Sequence, residues 1–404
     1  MPSAPSAAPR YALARLIGGQ VCLHASMAGM RMAAPLLALR EGYSALAVGV
    51  LLAMFALTQV FLALPAGRYA DRHGIRRPVG LSVIAAALGA ALAVAFPVFP
   101  VLCLSALLTG GATGTAAIAL QRHAGRAAHD ATELKRVFGW LSLGPAFANF
   151  LGPFVSGLMI DYVGELLGGQ AGSLAGFRVT FLLMALLPLL SWYLVRRTQD
   201  LPAAPALGTG TRRTWDLLRD PMMRRLLLVN WFLSSCWDVH TFVVPVLGHE
   251  RDFSASVIGT LLGAFSLAAV AVRLTMPWLA EHLRERVVLS GAMLLTALSL
   301  GIYPLMNSAW TMGLCSVLLG LALGSVQPMI MSTLHQITPS DRHGEALGLR
   351  VMSLNGSSVF MPMVFGTVGA VVGVSFLFWT VGFAVGLGSR MAWKLKVPTL
   401  PHSV

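Results

Sequence analysis

The chain has 404 residues, of which 56% are hydrophobic and only 11% are charged. A water-soluble protein of this length needs far more charge to cover its surface, so a soluble globular domain is excluded and a polytopic membrane protein with little extramembranous mass is expected. The net charge of +13 does not signal nucleic-acid binding, because the basic residues fall in short connections between apolar runs rather than on one soluble face.

Apolar runs of about 20 residues, each long enough to cross a bilayer, are predicted at 13–39, 47–64, 79–96, 101–120, 137–162 and 176–195. Residues 1–9 lack the basic-then-apolar layout of a signal peptide, so the first run is expected to be an uncleaved helix. A polar segment follows at 196–223, with Pro202, Pro205, Gly208 and Gly210, and reads as a linker with a short amphipathic piece around Trp215. Six further runs are predicted at 226–247, 256–279, 287–306, 310–333, 346–371 and 374–393. The fold class expected is therefore an all-α integral membrane protein of twelve spans: a first six-helix bundle over 1–195, a linker over 196–223 and a second bundle over 224–404. Cys22, Cys103, Cys236 and Cys315 all lie inside these runs without paired or metal-ligand spacing, and read as packing residues.

Charge placement supports the same topology. With both termini cytoplasmic, 23 of the 29 Lys and Arg residues lie on the cytoplasmic side, three (Arg40, Arg178, Arg251) on the other, and Arg31, Arg273 and Arg350 within spans. An internal repeat is also visible. Residues 43–57 and 253–267 match at seven of fifteen positions. The same offset of 210 pairs Pro35 with Pro245, Gly110 with Gly320 and Gly114 with Gly324. An offset of 209 pairs Gly139, Pro153, Gly157 and Gly164 with Gly348, Pro362, Gly366 and Gly373.

Between the second and third runs stands Gly67-Arg68-Tyr69-Ala70-Asp71-Arg72-His73-Gly74-Ile75-Arg76-Arg77. So polar a stretch is expected to form a tight loop of eleven residues at one membrane face. Its pattern, G-x-x-x-D-R-x-G-x-R-R, resembles the loop motif of the major facilitator superfamily of transporters. That resemblance implies two parallel six-helix halves with a substrate path at their interface, working by alternating access. It further implies that Asp71 sits against the N-terminus of the eleventh helix and latches the cytoplasmic side, with Gly67, Arg72, Gly74, Arg76 and Arg77 completing the gating loop. The plainer reading, that the arginines only fix topology, is compatible with this. The second-half copy, over 277–286, is eroded.

The fifth run carries Gly139, Ala148, Gly152, Pro153, Ser156 and Gly157. This resembles the glycine-rich motif of the family's proton-coupled exporters, in which small residues permit close packing and the proline bends the helix. Ordinary tight packing of small residues is the competing reading. One departure weighs against export: such exporters often carry an arginine in the fourth span, where this chain has Ala106.

An ionised group at mid-span costs several kcal/mol unless paired or hydrated, so intramembrane charge marks mechanism. Asp238 is the acid placed well inside a span, the seventh, and offset 210 maps it one turn from Arg31 in the first. The implied fold would let these two pair across the cavity. A neighbouring cation favours an ionised carboxylate and burial a protonated one, so separating them would shift proton affinity. A permanent structural ion pair and a substrate-binding role for Asp238 are the alternatives. His24 and His240, on the same two helices, are candidate proton relays or simply packed hydrogen-bonders. Gln327 and Asn355 are candidates to face the cavity or cross-link helices, while Arg273 and Arg350, close to cytoplasmic ends, are expected to snorkel.

No phosphate-cradling loop, nucleophile elbow, metal-ligand pattern or catalytic domain is visible in the sequence. The expectation is a monomeric secondary transporter of the cell (inner or plasma) membrane, not an enzyme, with no cofactor, metal or nucleic-acid partner. Its partners would be the lipid bilayer, a small molecule and protons. Export of a small amphipathic molecule is expected, against uptake or exchange of an organic anion held by Arg31, or a receptor or scaffold that does not transport.

Overall fold

The computed structural model describes residues 8–127, 131–198, 200, 214–280, 285–338 and 343–395. Long helices dominate it, and no strand occurs among the described residues. In chain order they are α1 Ala8–Arg40, α2 Ala45–His73, α3 Arg76–Ala95, α4 Phe99–Ala127, α5 Ala131–Leu158 and α6 Leu174–Val195. Then come α7 Pro221–Glu250, α8 Ala255–Ala280, α9 Glu285–Ile302, α10 Ala309–Ile337, α11 His343–Val372 and α12 Val374–Trp393. Helix is the form that meets every backbone hydrogen bond within one segment, which is what lipid demands of such apolar sequence.

Eleven of these helices are long and apolar enough to cross a membrane; α12, which carries Arg390, is a twenty-residue helix outside that set. Their outward faces suit hydrocarbon. On α3, Leu81, Ile84 and Leu88 are exposed on one side while Val79, Val83, Ala86 and Ala90 are buried on the other. A continuous apolar exterior of that kind marks a lipid-facing surface.

One expectation changes in detail. The polar knot is not an eleven-residue loop. Helix α2 runs on to His73 and α3 starts at Arg76, so only Gly74 and Ile75 make the turn, with Gly74 at φ +72°. A left-handed φ is open to glycine at little cost and strains other residues. The linker does carry a short element, a 3₁₀-helix at Thr214–Arg219, while residues 201–213 lie outside the described residues.

By contact the chain forms two compact units whose helix ends are exchanged. Residues Ser44–Val50, which open α2, belong with the second unit, and Asp252–Gly263, which open α8, belong with the first. Within the first unit, α1 packs on α4, α5 and α6, and α3 packs on α4 and α6. In the second unit α7 packs on α10, α11 and α12, and α9 on α10 and α12, which is the same pattern with six added to each number.

The repeated glycines lie at equivalent helix crossings. A Cβ on Gly110 would strike the carbonyl oxygen of Phe55 in the first unit, and one on Gly320 would strike that of Phe265 in the second. Phe55 and Phe265 are themselves 210 residues apart. Likewise a Cβ on Gly157 would collide with Ala255 O, and a Cβ on Gly366 would lie 2.8 Å from Ala45 O. Helix backbones that touch leave no room for any side chain at the crossing, so glycine is required there.

Candidate functional site

Among the described residues, the second unit buries one carboxylate in the middle of a helix. Asp220 caps α7, accepting from Met222 N at 2.9 Å, with Pro221 at the first helical position. Asp238 follows about 26 Å along the axis at 1.5 Å per residue and is 3% exposed. Helix α11 supplies its hydroxyl partners. Ser357 Oγ donates to Asp238 Oδ2 at 3.2 Å, and Ser358 Oγ lies 3.2 Å from Oδ1 and 3.3 Å from Oδ2. Ser235 Oγ stands 3.1 Å from Ser357 Oγ and donates to Trp231 O at 2.8 Å. The result is a small polar pocket in an apolar bundle, where hydroxyls replace the water that a carboxylate would otherwise need.

His240 belongs to a different network on the same helix. Its Nε2 lies 3.0 Å from Ser316 Oγ, which is 2.9 Å from Tyr303 Oη, and its ring stacks on Phe265 at 4.2 Å. Residues two apart on a helix do not share a face, so His240 is turned away from Asp238. Asn355 is half-buried on α11, two residues before Ser357, and Gln327 is exposed on α10.

In the first unit, His24 on α1 hydrogen-bonds the side chain of Asn149 on α5 and lies within the field of Arg31. The glycine motif is what lets α1 and α5 come this close. A Cβ on Gly152 would fall 2.7 Å from both Ala25 O and Gly29 N. Farther along α5 the helix loosens into a π turn, Met159–Val163, that aims Asp161 at the start of α8. Its carboxylate accepts from Ala255 N at 3.3 Å and Ser256 N at 2.5 Å, a charged cap on a helix N-terminus.

At the α2–α3 turn, a carboxylate also caps a helix, but it is Asp200, from the chain just beyond α6. Its Oδ1 accepts from Ile75 N at 2.7 Å and Arg76 N at 3.1 Å, and a Cβ on Gly74 would overlap it. Arg72, Arg76 and Arg77 are exposed around this turn, and a Cβ on Gly67 would sit 3.0 Å from Arg122 Nη1. The side chain of Asp71 and the surroundings of Gly139 lie outside the described residues. Asp200→Ala is expected to cost about 1 kcal/mol, as for other lost N-caps, and Asp200→Asn much less. Thermal unfolding of both variants in detergent checks this.

Arg350 corrects an expectation. It does not snorkel: it is 4% exposed, on α11 about two turns before Ser357. Ser357, Ser358, Asn149 and Asp200 are functional candidates that sequence reading missed. The Asn355-Gly356-Ser357 run is a visible but weak signal, since serine is common in apolar helices.

The sequence matches the Major Facilitator Superfamily over residues 16–253 and again over 226–403. It is 26% identical over 329 residues to the tetracycline resistance protein, class E, of Escherichia coli, covering 78% of this chain and 77% of that protein. With multidrug resistance protein 1 of Bacillus subtilis (strain 168) the identity is 24% over 369 residues, covering 87% and 88%. Among solved structures, a POT family transporter in complex with a thioalcohol-conjugated peptide superposes with a TM-score of 0.76 at 14% identity, over 94% of each chain. The human organic anion transporter MFSD10 (TETRAN) superposes with a TM-score of 0.66 at 18% identity, over 95% of this chain and 99% of its own. With both halves matched and the helices repeating in groups of six, this chain belongs to the Major Facilitator Superfamily of multi-pass membrane transporters.

Proposed function

We propose that this transporter exports a small amphipathic molecule in exchange for protons, with Asp238 as the proton carrier. The observation that carries the reading is the buried Asp238 carboxylate, solvated by Ser357 and Ser358 within an apolar unit. A buried carboxylate can hold a proton or release it, and a cargo bringing a cation or hydrogen-bond donor to the same oxygens competes with that proton. Export is supported by the resistance proteins among the relatives, which span most of this chain.

In this reading residues 1–195 and 224–404 are two halves joined by the 196–223 segment, and the protein works by alternating access. Arg31 on α1, Gln327 on α10 and Asn355 on α11 are further candidates for proton coupling or cargo binding. His24, held by Asn149, and His240, held by Ser316, are fixed hydrogen-bonding groups. The gating segment Gly67–Arg77 lies on the cytoplasmic side with both termini, in the inner or plasma membrane, and a monomer is sufficient. Asp200 fixes the turn of that segment, and Asp161, in the π turn beyond α5, likewise caps the start of α8.

The test uses proteoliposomes with an imposed pH gradient and tetracycline as probe. Export predicts that protons leave the acidic compartment as tetracycline enters it. Movement of both in the same direction would establish symport and reject export by exchange. No proton movement with any of a broad set of amphipathic probes would favour a chain that does not transport.

A further inference from the structure

The second unit holds two arginines whose Nε atoms are buried, with no counter-ion among the described residues. Arg350 on α11 is 4% exposed, and its Nε has no hydrogen-bond partner among the described residues. Arg273 on α8 is partly buried, and its Nε is likewise buried and unpartnered. The two guanidiniums lie within electrostatic reach of each other. No carboxylate among the described residues forms an ion pair with either. Arg273 lies over the ring of Trp237, with Cζ 6.0 Å from its centroid, and Trp237 meets Phe265 edge-on at 4.5 Å.

Two like charges held in a low-dielectric place, with no acid beside them among the described residues, repel each other and lose their hydration. A chain that needed only apolar filling there would be more stable with leucine or methionine. A guanidinium is also always charged and shaped to hold planar oxyanions. We propose that Arg273, Arg350 and Trp237 form an oxyanion-binding subsite, which takes the carboxylate, sulfonate or phosphate of an aromatic or acyl amphiphile. The two Nε groups are buried donors without partners among the described residues, and Trp237 offers a flat apolar wall beside Arg273.

Naming that amphiphile as cargo rests on the export reading above. Arg350 and Ser357 are seven residues apart on α11, roughly 10 Å along the axis. A cargo with an oxyanion at one end and a cation or donor at the other would therefore span from the arginines to Asp238. The same oxyanion chemistry could equally belong to an anionic lipid headgroup.

Binding separates these cases without transport. The purified chain in a neutral detergent is titrated with 1-naphthoate and its neutral isostere 1-naphthamide, for wild type, Arg350→Gln, Arg273→Gln and Arg350→Lys. The expected result is tighter binding of the naphthoate, weakened about tenfold by either Gln variant and less by the Lys variant, with naphthamide unchanged. Because it loses an unpartnered buried charge, Arg350→Gln should melt no lower than wild type. A parallel titration uses dihexanoyl phosphatidylglycerol against dihexanoyl phosphatidylcholine. Arginine-dependent binding of the phosphatidylglycerol that naphthoate fails to displace, with no binding of naphthoate itself, keeps the subsite and assigns it to lipid.

Equal binding of the charged and neutral members of both pairs would overturn the subsite, as would a destabilised Arg350→Gln with unchanged naphthoate affinity. A chain that binds naphthoate through its arginines but moves no protons would keep the subsite and lose the export reading.

Discussion

Under the proposed export reading, Asp238→Asn is expected to abolish pH-gradient-driven movement of the tetracycline probe while leaving probe-for-probe exchange at near wild-type rate. The amide keeps an acceptor for Ser357 and Ser358, so the pocket is still filled and hydrogen-bonded. What it loses is the capacity to bind and release a proton, and coupling requires that capacity. Asp238→Ala differs, because it leaves the hydroxyls of Ser235, Ser357 and Ser358 facing a void, and it should cost about 1–3 kcal/mol of stability as well. Asp238→Glu retains the titrating group and should keep partial coupling. Gradient-driven transport that survived in Asp238→Asn would remove Asp238 as carrier. Loss of exchange as well would make it a cargo-binding group rather than a coupling one.

Gly157→Val should give the second large effect, on architecture and turnover together. At this position a Cβ meets Ala255 O and comes within 2.9 Å of Ser256 Cα, so the backbones of α5 and α8 must separate. That separation also pulls Asp161 away from the N–H groups of Ala255 and Ser256. Overpacking of this sort costs about 1–3 kcal/mol, and the lost charged cap about 1 kcal/mol more. The melting temperature in detergent should fall and transport should be lost. Gly356→Ala is the matched control, since nothing lies within 4 Å of a Cβ there, and its stability should stay within about 0.5 kcal/mol of wild type. Equal melting of Gly157→Val and wild type would show that the α5–α8 crossing tolerates a side chain.

These two residues also show what was readable in advance. The offset that aligns Gly110 with Gly320 and Pro153 with Pro362 is a property of residue identity, and the same positions form equivalent crossings in the two units. Close backbone approach permits only one residue type, so it leaves a trace in sequence. Asp238 was readable for a similar reason, as a lone acid in a long apolar run.

The partners of Asp238 were not readable. Helix α11 is apolar nearly all round, so no amphipathic pattern tells which side turns toward α7, and Ser357 and Ser358 look like any small residues in such a helix. Arg350 was misjudged because nearness to a helix end suggests an exit to water, whereas its actual path depends on which helices stand around it. Asp200 lay unnoticed because its bond to the α2–α3 turn joins residues far apart in the chain. The turn's own glycine, Gly74, was legible, but not the carboxylate that fills the space beside it.

Proton release on ligand binding tests the coupling claim most directly. Tetracycline is added to the purified chain in detergent with almost no buffer, and the pH is followed with an indicator while binding is measured in parallel. Wild type should release protons in step with bound tetracycline, and Asp238→Asn should bind tetracycline but release none. Binding by wild type without proton release, or equal release from both proteins, would contradict a proton carrier at Asp238.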